Sequence, residues 1–432
     1  MSAGFPGAGA TSAGEVRRAV EAAWQMESAQ IVATLARLTA DLSAAEDLAH
    51  DALVAALESW PASGVPDNPA AWLTTTARRR ALDALRRRPM LEAAHAEIAR
   101  QSAPPDPIAM LHDAIDDAVG DSLLGLVFAT CHPALSPESR AALTLRTLGG
   151  LTTDEIARAF LTPVPTVAQR IVRAKKTLRE AGVTFEVPRA AELTGRLGDV
   201  LRVVYLVFNE GYTATAGADW SRPDLCEEAL RLGRVLGGLM PVEAEAHGLV
   251  SLMEVQASRL AARVGPDGEP VLLLDQDRTR WDALLIRRGL AALEKGVSLA
   301  GGAPGPYLLQ AAIAACHARA RRAEDTDWAE IAALYATLAR VQPSPVVELN
   351  RAVAVGFAEG PAAGLALADT IAETGVLDGY HLLDAVRGDL LEKLGRTAEA
   401  AAAFERAAAL TGNERERVLL DRRASESRGL AP

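Results

Sequence analysis

The stretch Leu151 to Gly182 reads LTTDEIARAFLTPVPTVAQRIVRAKKTLREAG, and its spacing decides how the first half of the chain folds. Thr152 followed three residues later by Glu155 is a capping-box signature that starts a short helix. Ile156, Ala157 and Phe160 give that helix an apolar face. Pro163 and Pro165 then break the chain, and Pro165 suits the first turn of a second helix. Along the second helix Val167, Ile171, Ala174 and Leu178 recur on one side. Thr166, Gln169, Arg173 and Lys176 fall on the other, flanked by Arg170, Lys175 and Arg179. Two short helices, the second with an apolar back and a basic front, make a helix-turn-helix. Such a front suits DNA: Gln169 and Arg173 reach base edges, while the lysines and outer arginines hold phosphate.

Upstream, DLSAAEDLAHDALVAALESWP carries Ser43 and Glu46, a second capping box. Leu48, Leu53, Leu57 and Trp60 are the expected packing residues, with Glu46, Asp47 and Asp51 facing outward. After PASGVPDNP, Asn68 caps and Pro69 starts a helix reading AWLTTTARRRALDALRRRP from Ala71. It holds six arginines, Arg78 to Arg80 and Arg86 to Arg88, against the single acid Asp83. The helical wheel puts Arg78 beside Leu82 and Leu85, tucked in against an acid of the preceding helix. Arg79, Arg80 and Arg86 to Arg88 are freer to meet phosphate. Electrostatics makes the acidic helix a protein-binding face and the arginine helix a nucleic-acid face.

The chain as a whole is acidic, with a formal net charge of −11 over 432 residues, which argues against indiscriminate binding to nucleic acid. Its length and 49% hydrophobic content allow more than one core. No run approaches the apolar length of a membrane span. The opening MSAGFPGAGATSAGE lacks a signal-peptide layout and reads as a loose tail. Cys131, Cys226 and Cys316 are odd in number and far apart, which fits neither a disulfide framework nor a zinc knuckle and suits a reducing cytoplasm. The histidines form no metal-binding spacing, so neither a metal nor a cofactor is expected. Cys131-His132-Pro133 reads as a helix entry.

Helical periodicity runs almost throughout, so the expected fold is all-α. A break at Pro104-Pro105-Asp106-Pro107 marks a linker, and another near Pro188 closes the first half. Beyond it, GDLLEKLGRTAEAAAAFERAAAL resembles a tetratricopeptide repeat, with Gly388, Ala400, Phe404 and Ala407 at its close-packing positions. SPVVELNRAVAVGFAEGPAAGLALADTIA looks like a looser copy before it. Asn209, Glu210 and Tyr212 in VFNEGYT, with Asp275, Asp277 and Arg278 in DQDR, can build a polar pocket for a regulatory ligand or partner. The same groups serve equally as helix caps, with Asp277 before RTRWDALLIRRGLAAL and Gly211 easing a turn. An enzyme built on Asn209, Glu210 and Tyr212 is the third-ranked reading; no catalytic residue is expected.

Taken in order, these motifs resemble the extracytoplasmic-function group of RNA polymerase sigma factors. AEDLAHDALVAALESW is similar to that family's region 2 helix, NPAAWLTTTARRRALDALRRR to its −10 reader, and residues 135–182 to region 4. YLVFNEGYTA, LLLDQDRTRWD and SPVVELNRAVAV resemble the subgroup with a fused tetratricopeptide-like extension, which implies a regulatory role for it. The implied domains are a tail at 1–14, region 2 at 15–88, a linker at 89–120, region 4 at 121–187 and a helical-repeat domain at 188–432. The implied partners are core RNA polymerase, through its clamp helices and flap, and promoter DNA, in the cytoplasm. Polymerase contacts fall on Glu46, Asp47, His50 and Asp51, and −10 contacts on Arg79, Arg80, Asp83, Arg86, Arg87 and Arg88. The −35 contacts fall on Thr166, Gln169, Arg170, Arg173 and Lys176, and a flipped −10 base would sit in the loop between Trp60 and Asn68. Three positions depart from the family: His50-Asp51 replaces Gln-Glu, Arg79 replaces Asn, and Leu161 replaces the turn glycine. The alternative is a free-standing helix-turn-helix regulator with a ligand-sensing helical-repeat domain.

Overall fold

The computed structural model describes residues 13–95, 119–160, 162–212, 223–265 and 271–429. The tail, most of the linker and Leu161 lie outside the described residues, as do the side chains of Arg87 and Arg88. Among the described residues there are helices and turns and no β-strand. The chain divides into two compact units, residues 1–158 with 162–203, and residues 204–432 with 159–161.

The first unit begins with three long helices, α1 (Ala13–Thr39), α2 (Leu42–Ser63) and α3 (Pro69–His95), which pack on one another. Asp41 caps α2, its carboxylate accepting from the N–H groups of Ser43 and Ala44 at 2.8 and 3.1 Å. The expected Ser43–Glu46 box is therefore not the cap. Asp41 stands at the extended residue before the helix, where a short carboxylate reaches both free N–H groups. At the next helix Asn68 Oδ1 accepts from Ala71 N at 3.0 Å, and Pro69 opens α3.

The buried face of α2 is Leu42, Ala45, Ala49, Ala52, Ala56 and Trp60. Its leucines do not form the packing face: Leu48 and Leu53 are half-buried and Leu57 is exposed. Small side chains let three helices approach closely, and Trp60 fills the end of the bundle, edge-on to Trp72 at 5.3 Å. The helix continues through Pro61 to Ser63, so only Gly64 to Asn68 remain as loop before α3.

Helix α4 (Val119–Thr130) packs on α1 and on α5 (Pro137–Thr147). The turn after α4 buries Cys131, whose thiol is pushed up to about 11 by burial and lies 3.5 Å from Thr144 Oγ1. Cys131-His132-Pro133 thus leaves α4 and does not enter a helix directly. Next come α6 (Thr153–Ala159) and α7 (Val164–Glu180), α7 packing on α5. Pro188 lies in the turn before α8 (Ala190–Tyr212). Arg140 fixes the start of α8 to this unit, pairing with Asp199 at 3.2 Å and donating to the Leu135 and Pro133 carbonyls.

The second unit stacks helices that pack mainly on their sequence neighbours: α9 (Pro223–Leu239), α10 (Ala244–Ala257), α11 (Ala283–Leu299), α12 (Pro306–Arg319) and α13 (Trp328–Val341). α14 (Pro345–Ala358), α15 (Pro361–Glu373), α16 (His381–Lys393), α17 (Thr397–Leu410) and α18 (Glu414–Ser427) complete it. Gly388 on α16 lies so close to α17 that an added Cβ would stand 2.7 Å from the Phe404 ring. Phe404, Ala400 and Ala407 are fully buried there. A similar approach pairs α14 and α15, where a Cβ on Gly364 would meet the Ala352 carbonyl at 2.6 Å.

One cap in this unit is long-range. The Glu245 carboxylate, from α10, accepts from Tyr307 N at 2.8 Å and Leu308 N at 3.1 Å, closing the start of α12. Burial pushes its carboxyl up despite the two donors. Asp277 caps only the short 3-10 turn Arg278–Arg280, and the long helix after it begins at Ala283 with Asp282 as its cap. Residue Trp281 is extended, which separates the two turns.

Candidate nucleic-acid interface

The helix-turn-helix forms as the spacing implies. Glu155 N donates to Thr152 Oγ1 at 3.2 Å, and Thr152 N donates back to Glu155 Oε2 at 2.7 Å. Such a reciprocal cap contributes about 1 kcal/mol to a short helix. On α7 Val167, Ile171, Ala174 and Leu178 are buried, while Thr166, Gln169, Arg173 and Lys176 are exposed and Arg170 is half-buried. The five −35 candidates therefore share one turn-connected strip of the recognition helix, with the apolar back holding them in place.

On α2 Asp47, His50 and Asp51 are exposed, and Glu46 is half-buried. His50 Nδ1 lies 2.8 Å from the Glu46 carbonyl and its ring leans on Trp24 at 5.5 Å. Val54 and Leu57, 51% and 46% exposed, continue the strip begun by Asp47 and Asp51. The exposed side of α2 is therefore both acidic and apolar. Apolar residues at Val54 and Leu57 are missed when all large side chains are assigned inward.

On α3 Arg79, Asp83 and Arg86 are exposed, and Arg78 and Arg80 are half-buried. Arg80, and not Arg78, meets the acid of α2, its Nη1 standing 3.7 Å from Asp51 Oδ2. Arg86 approaches Asp83 at 3.9 Å. Both pairs are well exposed and contribute little, so they are easily exchanged for phosphate contacts.

A further contact joins the two faces. Lys175 Nζ of α7 lies 2.5 Å from Glu46 Oε2 of α2, with the two side chains only 17% and 16% exposed. Beside it Arg179 reaches Asp41 at 3.4 Å, and the backbone N–H bonds together with Arg179 hold the Asp41 carboxyl low against its partial burial.

In the second unit, Asn209 is exposed and Glu210 and Tyr212 are half-buried in the last turn of α8. Tyr212 faces Arg263, whose guanidinium carbon lies 3.8 Å from the ring centre. Among the described residues no cluster of His, Cys, Asp and Glu could hold a metal ion, and no helix is long and apolar enough to cross a membrane.

A helical bundle with an acidic, apolar outer strip, a basic helix beside it and a helix-turn-helix in the same chain define a DNA-binding protein that also docks on protein. Residues 24–89 match Sigma-70 region 2, residues 126–178 match Sigma-70, region 4, and residues 196–297 match a family of unknown function (DUF6596). An uncharacterized protein of Rhizobium meliloti (strain 1021) is 44% identical over 411 residues, spanning 92% of this chain and 94% of its own length. The region 2 and region 4 matches mark the chain as an RNA polymerase sigma factor, a class that binds core polymerase and directs it to promoters. No solved structure matches it.

Proposed function

We propose that this chain is an alternative sigma factor of the extracytoplasmic-function group, acting in the cytoplasm. Residues Asp47, His50 and Asp51, with Val54 and Leu57 beside them, dock on the clamp helices of core polymerase. Arg79, Arg80, Asp83 and Arg86 to Arg88 approach the −10 element, and Thr166, Gln169, Arg170, Arg173 and Lys176 read the −35 element while region 4 meets the flap. The carrying observation is that α2 and α7 each bury an apolar stripe and expose a chemically opposite one, acid with apolar on α2 and basic with amide on α7.

Glu46 is engaged by Lys175, so the free chain holds its polymerase-facing helix against its −35-reading helix. Docking on polymerase exchanges this contact for intermolecular ones, and the two DNA readers then separate. The hairpins of the second unit, with Gly388 against Phe404, support a tetratricopeptide-like regulatory domain.

The test is transcription in vitro by core RNA polymerase with the full chain. Promoter-specific initiation that is lost in Asp47→Lys, with DNA binding by α7 retained, is the expected result. Specific DNA binding with no polymerase dependence would instead support a free-standing regulator.

A further inference from the structure

We propose that the second unit binds a small oxyanion, a carboxylate or a phosphate, on Arg259. The site is assembled by backbone contacts that the local sequence does not announce. Asp282 N donates to the Ser258 carbonyl at 2.8 Å and Val271 N to the Arg263 carbonyl at 2.8 Å, so residues 271–282 lie along the segment that follows α10. This brings Trp281 beside the same guanidinium as Tyr212 of α8: Arg259 stands 5.8 Å from each ring centre.

Arg259 is 7% exposed, and its guanidinium Nε is buried without a hydrogen-bond partner among the described residues. Burying an unpaired cation costs several kcal/mol unless an anion joins it. The described groups nearby do not supply one. Arg278 adds a second positive charge, its Nη1 donating to the His317 and Ala320 carbonyls at 2.6 and 2.7 Å while its Nε is buried without a hydrogen-bond partner among the described residues. Glu254, the buried carboxylate of α10, is held through Oε1 by Arg234 at 2.7 Å, and no contact joins its other oxygen to Arg259 among the described residues.

Apart from the guanidinium of Arg263, which shares the Tyr212 ring, what surrounds Arg259 otherwise is aromatic and neutral. Its charge reaches the half-buried tyrosines Tyr205 and Tyr335 and the imidazole of His317, whose Nδ1 is buried without a hydrogen-bond partner. Cation–π contact engages the face of a guanidinium and leaves its N–H edge to hydrogen-bond, and that planar edge matches a carboxylate or phosphate in bidentate fashion. Phenol and imidazole groups complete a shell able to donate to the remaining oxygens. The cluster therefore has the charge, the donors and the desolvation of an anion site.

Calorimetric titration of the full chain with inorganic phosphate and, separately, with citrate at matched ionic strength tests this. Saturable binding of one or both is expected, and which one binds separates a phosphate ligand from a carboxylate ligand. Arg259→Met should weaken it about 10- to 100-fold, the loss expected for a charge-assisted bidentate contact, with Arg259→Lys intermediate. Absence of saturable heat from either anion with the unaltered chain overturns the proposal, whether or not the variants fold. Equal binding by Arg259→Met also overturns it.

Discussion

Lys175 and Glu46, 129 positions apart, meet at 2.5 Å, and the pair joins α7, the proposed −35 reader, to α2, the proposed polymerase-facing helix. A mostly desolvated pair of this kind specifies an arrangement more than it adds net stability, and losing either partner leaves a buried charge. A double-mutant cycle with Glu46→Gln and Lys175→Met, followed by urea unfolding of the free chain, should return a coupling of about 1–3 kcal/mol. A coupling near zero would show that the two helices are not held together before polymerase binds.

Gln169 and Arg173 are exposed on the front of α7 while Arg170 is half-buried at its edge. Gln169→Ala and Arg173→Ala should each lose about 1–3 kcal/mol of discrimination at particular −35 positions. Transcription from promoters substituted base by base measures this. A uniform loss across all promoters would reassign the residue to phosphate.

The reciprocal cap between Thr152 and Glu155 is exposed, so its removal disturbs little else. Thr152→Ala should lower stability by about 1 kcal/mol and fray α6, read as a lower melting temperature of the first unit. Thr152→Ser should restore most of it.

Phe404 is fully buried and its ring seats against Gly388. Phe404→Ala should cost about 3–5 kcal/mol through the cavity it leaves. Gly388→Val should destabilise the same hairpin by forcing the two helices apart. A calorimetric melt in which neither variant changes the second unit's transition would contradict that packing.

His317 stacks edge-on against Trp328 at 5.2 Å, and burial, with Arg259 and Arg278 facing it, lowers its pKa from 6.5 to about 4. Between those values the unfolded chain takes up a proton that the folded chain refuses. The stability this neutral ring contributes is therefore complete above about pH 6.5 and falls away as pH drops toward about 4, by ~3 kcal/mol in all. Melting temperature against pH, compared with His317→Gln, checks it: the variant should lose that part of the slope.

The helix-turn-helix is legible in the sequence because its determinants are local: a cap at Thr152, a proline break and a four-residue apolar stripe on α7. The face of α2 is not, because periodicity weights large residues, whereas a tight three-helix contact selects alanine and turns Leu57 outward. Asp41 and Asp282 displace Ser43 and Asp277 as the caps of α2 and α11 for a related reason. Several polar residues compete near each helix start, and the choice depends on which one the incoming chain leaves extended. The Glu245 cap on α12 and the burial of Arg259 rest on contacts between distant segments and have no local signature.

The alanine stripe of α2 has a consequence for how this chain tolerates change. Ala45, Ala49, Ala52 and Ala56 have no rotamers to rearrange and are at most 1% exposed, so this side of the helix has no slack. An added methyl group has nowhere to go except into the spacing of α1, α2 and α3. Random substitution should therefore be filtered more severely at these four small residues than at the larger Val54 and Leu57 on the outer side. The outer strip is then free to drift with its partner, while the hidden alanines keep its orientation constant.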